Sequence, residues 1–196
     1  GPPVSSITLP SPDLPDALAH FNKAAGTGLA TLSGTAYNTP AVQGAGVWKV
    51  LTAVQDPGPD NILCSGGDDR WFNPASNLFD SAVVVRSTYE VTQFTPLPWS
   101  LSIPLASYPD TAGRRFRVTS LAVDRGLDAN AALKGNWEVP PDVAADAGNA
   151  IANVNFFVVD TTAPLSAVRL PADGASLSSL TQVTGTAADV AGFVGQ

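Results

Sequence analysis

Short stretches of alternating apolar and polar residues recur along this chain, and such alternation is the pattern of strands that bury one face. In residues 47–55, for example, Val50 and Val54 fall on one face, and Leu51 and Ala53 fall on the other. The pattern predicts strands at residues 4–9, 30–36, 47–55, 83–85, 99–105, 116–122 and 154–158.

Turn-forming residues separate these strands. The chain has 17 glycines and 17 prolines, which break helices and mark turns. Only 14% of its residues are charged, which is fewer than the solvent faces of a helical protein usually carry. About seven strands joined by turns predict an all-β fold, an immunoglobulin-like β-sandwich. Short helices are predicted only inside loops, at residues 14–23 and 142–150.

Three long insertions interrupt the predicted sandwich, at residues 11–28, 58–70 and 131–152. Loops of this length in a compact domain are usually functional or mobile. A binding role of this domain is therefore expected to use the insertions.

The two ends of the chain are similar to each other in sequence. Three pairs of blocks match in the same order: residues 3–10 with 164–171, 32–36 with 183–187, and 44–47 with 190–193. Matching blocks in a fixed order indicate one repeat followed by the beginning of another.

These matches define the expected domain boundaries. We predict a sandwich module at residues 3–160, an inter-repeat linker at 161–164 and the N-terminal fragment of a second repeat at 165–196. Residues 1–2, Gly-Pro, match what a rhinovirus-type protease leaves after tag removal, so we expect them to be a cleavage scar. A secretion signal is absent from the sequence, which is expected if the native ends were removed.

The matched blocks belong to a longer series of motifs. These are LSGTA at 32–36, GVWKV at 46–50, VQD at 54–56, RWFN at 70–73, PWSL at 98–101, FRV at 116–118, AVD at 122–124 and VNFFVVDTTAP at 154–164. In this order they resemble the bacterial Ig-like repeats of large secreted and cell-surface proteins. The sequence departs from that family after Asp124, where Arg125 and Gly126 replace the usual Ala-Gly-Asn.

The resemblance implies an Ig-like sandwich that is located outside a bacterial cell or on its surface. It also implies a non-catalytic structural or adhesive role, with neighbouring Ig-like repeats as partners. A proline-containing linker suits that role, because proline fixes φ and restricts the residue before it. Two alternatives remain: a carbohydrate- or protein-binding module that uses the insertions, and a fibre subunit that assembles by strand exchange.

The charge balance narrows the range of partners. A net charge of −7 is the opposite of the basic footprint that nucleic acids require, so we predict no nucleic-acid partner. No apolar run approaches the roughly 18 residues of a membrane-spanning helix, so we predict no membrane insertion.

The sequence provides few groups for catalysis. His20 is the only histidine and Cys64 the only cysteine, and there is no GxSxG motif or pair of cysteines for zinc. Glu90 and Glu138 are the only glutamates, and neither has a suggestive sequence setting. We therefore predict that the chain is not an enzyme.

A structural calcium ion is the one cofactor that the sequence suggests. Calcium prefers several hard oxygen ligands from clustered Asp, Asn and carbonyl groups. Asp124, Asp128 and Asn130 share one predicted loop, and Asp160 begins the linker, so these four residues are the candidate ligands. Asp146 and Asn149 form a second cluster of candidate oxygen ligands.

Tryptophan side chains are the candidates for ligand binding. Aromatic faces can stack on sugar rings, and the chain has four tryptophans. Trp99 is predicted to be a core residue, which leaves Trp48, Trp71 and Trp137 as candidates for glycan or protein contact.

The C-terminal fragment is expected to need a partner. Residues 164–196 supply about two strands, which are too few to bury a core alone. We therefore predict that they pack either against the first module or against a second chain. Packing against a second chain would give a homo-oligomer.

Overall fold

The computed structural model describes residues 3–11, 19–22, 31–38, 46–65, 67–90, 97–109, 113–126, 135–138, 153–160 and 165–188. The strands are β1 Pro3–Leu9, β2 Ala19–Asn22, β3 Thr31–Asn38, β4 Val47–Asp56, β5 Arg70–Asn73, β6 Leu78–Ser81, β7 Ser87–Glu90, β8 Leu97–Ser102, β9 Arg114–Asp124, β10 Val154–Asp160, β11 Leu165–Leu170 and β12 Thr184–Ala188. A single turn of 3₁₀-helix, Leu105–Ser107, is the only helical element in the described parts of the chain.

Most of these strands form two sheets. Sheet A has the order β1-β3-β8, and sheet B has the order β2-β10-β9-β4-β5-β6, with β7 also paired to β4. Pairing is antiparallel except between β2 and β10, which are parallel. The strands β11 and β12 form a separate two-stranded hairpin.

The two sheets pack face to face around one apolar core. Sheet A contributes Ile7, Leu32 and Trp99, and sheet B contributes a larger set of buried residues: Val50, Val54, Phe72, Phe116, Val118, Ala122, Phe157 and Val159. Because the inward side chains alternate with outward ones along each strand, this arrangement agrees with the period-2 pattern of the sequence. The prediction of an all-β sandwich is thus confirmed.

Two local predictions were wrong. Within the predicted helix at 14–23, residues 19–22 form β2 instead, because they pair with the edge of β10 and Phe21 packs edge-to-face on Phe157, with the ring centroids 6.1 Å apart. Residues 83–85 are not a strand but part of the connection between β6 and β7, in which Val83 and Val84 are exposed. The predicted helix at 142–150 lies outside the described residues.

Gly34 sets the spacing at the centre of sheet A. It lies between Ile7 on β1 and Trp99 on β8, and the indole of Trp99 covers it. A Cβ atom at this position would collide with the backbone oxygen of Ser6 and would lie 2.5 Å from Cζ2 of Trp99. Glycine is therefore required here because the Trp99 ring takes the place of a side chain.

Part of the predicted insertion at 58–70 covers the outer face of sheet B. Leu63 packs on the outward-facing residues Val154, Phe156 and Val158 of β10. Arg117 in β9 is on the same outer face, and it is only 1% exposed. The strand alternation does place Arg117 on the outer face, but the sequence pattern of β9 gives no sign that a distant loop covers that face.

The terminal hairpin repeats the pairing of β1 with β3. Ser5 lies opposite Ala36 and Ile7 opposite Gly34 in the first pair; Ser166 lies opposite Ala187 and Val168 opposite Gly185 in the second. Both pairs also contain a register shift at the same place, between Ile7 and Leu9 and between Val168 and Leu170. The described residues of the first two pairs of matching blocks thus adopt the same local structure, and the third pair, 44–47 with 190–193, lies largely outside the described residues.

We expect Gly34→Ala to destabilise the sandwich by about 3 kcal/mol, because the added methyl group overpacks a closed contact. The matched control is Gly185→Ala, where a Cβ would lie 2.6 Å from the Ala167 oxygen but outside the sandwich core. Urea unfolding followed by tryptophan fluorescence reports the sandwich alone, because all four tryptophans precede the hairpin. Equal losses of stability in the two variants would contradict this account of Gly34.

Candidate functional site

Two tryptophans and a lysine meet on the outer face of sheet B. Lys49 in β4 lies opposite Val123 in β9, and Val123 lies opposite Trp137 across an antiparallel bridge. Residues that lie opposite each other on neighbouring strands carry their side chains on the same face. Lys49 and Trp137 therefore flank Val123, and with Trp48 they form what we call the indole patch.

Trp48 joins the patch because of a β-bulge. Strict alternation along β4 would place Trp48 on the core face with Val50. The register between β4 and β9 shifts between Val47 and Lys49, so Trp48 is the extra residue. Its side chain packs against the outer-face cluster instead of the core, which agrees with the way that bulges re-aim side chains.

The lysine ammonium group lies close to both rings. Lys49 Nζ is 4.1 Å from the centroid of the Trp48 ring and 6.0 Å from that of the Trp137 ring. At these distances the negative face of an indole attracts a cation. Trp137 is 50% exposed, whereas Trp48 and Lys49 are partly buried. The patch therefore presents an aromatic surface and a positive charge to solvent on a chain whose net charge is −7.

An apolar layer lies beneath the patch. Leu51, Leu121 and Val123 form a buried cluster on the outer face of sheet B, and Trp48 packs against it. These three residues belong to the two central strands β4 and β9, so their backbones are fixed by pairing on the sheet. The indole patch thus stands on a rigid base.

Backbone hydrogen bonds hold the segment 135–138 alongside β9. Gly135 N–H donates to the Gly126 oxygen at 2.9 Å, and Glu138 N–H donates to the Ala122 oxygen at 3.0 Å. Gly135 has a φ of 63°, and a Cβ there would lie 2.5 Å from the Asp124 oxygen, so the close approach requires glycine. Trp137 is therefore carried by a segment that is tied down at both ends.

The carboxylate of Asp124 anchors the first half of that segment. Oδ1 accepts hydrogen bonds from the backbone N–H groups of Gly126 at 2.8 Å and Asn136 at 2.6 Å, and Oδ2 accepts from Asn136 Nδ2 at 2.9 Å. Burial alone would raise the pKa of Asp124, but the hydrogen bonds from Asn136, Gly126 and Asn38 outweigh burial and lower the pKa below its ordinary value.

The carboxylate of Glu138 anchors the second half, and it does so from inside the sandwich. Oε1 accepts from Ser5 N–H at 3.0 Å and from Asn153 Nδ2 at 3.4 Å. Oε2 accepts from Ser5 Oγ at 2.6 Å and from Ala122 N–H at 2.8 Å. Because side chains alternate along an extended segment, Glu138 faces inward where Trp137 faces outward.

The predicted calcium ligands are not assembled by the described residues. Both oxygens of Asp124 accept hydrogen bonds from N–H donors, Asp128 and Asn130 lie outside the described residues, and only the backbone of Asp160 is described, in β10. The described residues contain no group of three or more His, Cys, Asp or Glu side chains that could hold a metal ion. Calcium binding stays a prediction.

Trp71 lies apart from the other two tryptophan candidates. It is 6% exposed in β5, and the guanidinium carbon of Arg117 lies 5.7 Å from its ring centroid. The insertion at 58–70 closes over this region, where Gln55 Nε2 donates to Asp69 Oδ1 at 3.0 Å. Trp71 thus packs inside the protein, whereas Trp48 and Trp137 come together at the surface.

A third buried carboxylate, that of Asp56, fixes the start of the covering insertion. Its Oδ1 accepts from Gly58 N–H at 3.1 Å, and its Oδ2 forms a 2.7 Å salt bridge with Arg114. Burial raises the pKa of Asp56 above its ordinary value and outweighs both of these partners. Asp56 thus joins the end of β4 and the start of the insertion to Arg114 of β9, which is a structural role.

Glu138 and the role of Lys49 beside the rings were not predicted from the sequence. A usable signal was present at Glu138, which is one of only two glutamates and follows Trp137 directly. The other residues considered for chemistry are not part of the patch: Cys64 is an exposed loop residue, and only the backbone of His20 is described, in β2.

Asp124→Asn is expected to lower the free energy of unfolding by about 2 kcal/mol at pH 7, because hydrogen bonds to a charged acceptor are lost. Since the folded pKa of Asp124 is lowered, its contribution is complete above the unfolded pKa of about 3.9 and disappears as the pH falls through the folded pKa. The difference between wild type and variant should therefore shrink below about pH 4. The exposed Asp80→Asn is the control, and a difference that stays constant with pH would contradict the assignment.

Comparisons with known proteins do not assign the chain to a family. No known protein family, no curated protein and no solved structure matches it. The described residues contain no helix that is long and apolar enough to cross a membrane.

Proposed function

We propose that this chain is a non-catalytic structural or adhesive module of a bacterial tandem-repeat protein that acts outside the cell. One Ig-like sandwich is followed by the first strands of the next repeat. The observation that carries the proposal is the identical register of the pairs β1–β3 and β11–β12, including the shift at the same place.

Burial differs between the two copies in the way that a repeat predicts. Ile7 and Leu32 are 5% and 0% exposed in the first copy, where sheet B covers them. Their counterparts Val168 and Val183 are 69% and 61% exposed. The second hairpin thus has the side chains of a sandwich face without an opposing sheet, as the leading part of a second module would.

The fold supports a role as a spacer. Antiparallel sheets that pack around one core form a rigid unit, and β10 leads directly into the linker at 161–164 and then into β11. Repeats that are joined in this way contact only their neighbours and set a fixed step along the chain. The Ig-like assignment rests on the sequence motifs and on the largely antiparallel two-sheet architecture.

Completing the second repeat tests this proposal. Because Ala187 corresponds to Ala36, residues 38–160 can be fused after Ala188 in the same register. We expect a second sandwich to form, with slower amide exchange at Val168 and Val183, and a maximum dimension in small-angle scattering that is about twice that of one module.

Truncation after residue 163 provides the matched control. The shortened chain keeps every strand of both sheets, so its melting temperature should stay within about 2 °C of that of the full chain. A completed repeat whose hairpin amides exchange as fast as before would contradict the proposal. Loss of folding in the truncated chain would contradict the module boundary.

Self-association through the hairpin is a second candidate function, and one observation favours it. The hairpin and the turn that connects its strands expose several large aliphatic side chains: Leu165, Val168, Leu170, Leu177, Leu180 and Val183. Exposed apolar surface of this kind marks interaction sites. Strand exchange between copies would give a dimer or a fibre.

Light scattering over a concentration series tests the second candidate. If the hairpin mediates self-association, the mass of the full chain should lie above the monomer value of 20.1 kDa and should rise with concentration. The chain that ends at residue 163 should stay a monomer. A monomeric full chain at every concentration would remove assembly as a function and leave the spacer role in place.

A further inference from the structure

We propose that the indole patch binds a glycan that carries carboxylated sugar rings, such as an oligomer of uronic acids. The inference gives the module a ligand in addition to its spacer role, and it rests on that proposed role only for access to glycans outside the cell. It is carried by the geometry of Trp48, Lys49 and Trp137.

The aromatic part of the patch suits the apolar face of a sugar. Trp137 is half exposed, and the fully buried Val123 lies between its backbone and that of Lys49. Neighbouring strands are about 4.8 Å apart, so the backbones of Lys49 and Trp137 are separated by roughly 10 Å. A ring that stacks its C–H groups on the exposed indole of Trp137 also lies close to the Lys49 ammonium group, which is 6.0 Å from the centroid of that indole.

The charged part of the patch selects an anion. The Lys49 ammonium group is held near both indoles on a protein that is acidic overall. On the opposite side of Lys49, the register places Glu90 of β7 in the same row of residues. A neutral sugar can accept only a hydrogen bond from the ammonium group, whereas a ring carboxylate can also form an ion pair with it while the ring stacks on Trp137.

A peptide fits this surface less well. Extended peptides commonly bind by adding a strand to a sheet edge. β4 is paired with β9 on one side and with β5 and β7 on the other, and β9 is paired with β4, β10 and the bridge to Trp137. Neither β4 nor β9 therefore offers a free backbone edge beneath the patch, which suits a ligand that is recognised by ring stacking and charge.

The patch is also built before the ligand arrives. Asp124 and Glu138 fix the residues on either side of Trp137 with hydrogen bonds of 2.6–3.4 Å. A preorganised aromatic side chain loses little conformational entropy on binding. Two buried carboxylates therefore serve, in part, to hold one exposed indole in place.

Calorimetric titration with oligogalacturonates and oligomannuronates, each compared with its methyl ester, tests the proposal on the full chain. The acid and its ester have the same ring but differ in the charge of the carboxyl group. We expect at least one acid to bind, its ester to bind at least about tenfold more weakly, and binding to weaken in high salt, because salt screens an exposed ion pair. Absence of binding by every acid, or equal binding of acid and ester, would overturn the proposal.

Variants locate the site. Trp137→Ala and Lys49→Gln should each reduce the affinity for the acid about tenfold or more, because each removes one of the two contacts. Glu90→Gln should raise the affinity, because it removes a like charge from the row. Tyr37→Ala is the control, since Tyr37 is an exposed aromatic residue of sheet A. Unchanged affinity in Trp137→Ala would overturn the assignment.

Indole N–H signals in a two-dimensional ¹H–¹⁵N NMR spectrum give an independent readout. The signals of Trp48 and Trp137 should shift on titration, while those of the buried Trp71 and Trp99 should not. Melting curves show that each variant is folded. The tandem-repeat proposal is tested on the hairpin, and the glycan-binding proposal is tested on sheet B. Either proposal can therefore fail while the other remains valid.

Discussion

The buried carboxylate of Glu138 is the contact on which both the sandwich and its outer surface depend. Taking a carboxylate out of water costs several kcal/mol, and the cost is offset only if its oxygens are satisfied. Here Ser5 of sheet A donates two hydrogen bonds, and Ala122 of sheet B and Asn153 donate one each. Each bond to a charged acceptor contributes about 1.5–3 kcal/mol. Because hydrogen bonds are directional, a contact of this kind joins the two sheets at a defined position. Apolar packing alone is non-directional and does not define that position.

The same contact determines what the outer surface presents. Because an extended segment alternates its side chains, fixing Glu138 inside the sandwich directs Trp137 outward. The bulge at Trp48 then brings a second indole to the same face, beside Lys49. The patch is therefore a consequence of backbone register: Trp48 and Lys49 lie on β4, and Trp137 is held alongside β9 by a bridge to Val123. Residues fixed to strands in this way are positioned more precisely than residues on free loops.

The all-β fold and most of its strands could be predicted because alternation is a local property of the sequence. Trp99 as a core residue and the similarity of the two ends followed from the same local patterns. Three features could not be predicted, because each depends on residues that are distant in sequence. β2 exists through pairing with β10, Arg117 is buried under a loop from another part of the chain, and Glu138 meets Ser5 across 133 residues.

The Glu138 contact also specifies what can cover the terminal hairpin. Ser166 occupies the place of Ser5, and Val168 occupies the place of Ile7. The hairpin therefore has a hydroxyl donor that needs an acceptor next to an apolar side chain that needs a covering sheet. A purely apolar surface would bury the Ser166 hydroxyl without a partner, at a cost of about 1–3 kcal/mol. The hairpin is therefore best covered by a sheet that brings an acceptor in the position of Glu138. That requirement favours another copy of this module's own sheet B over any other apolar surface.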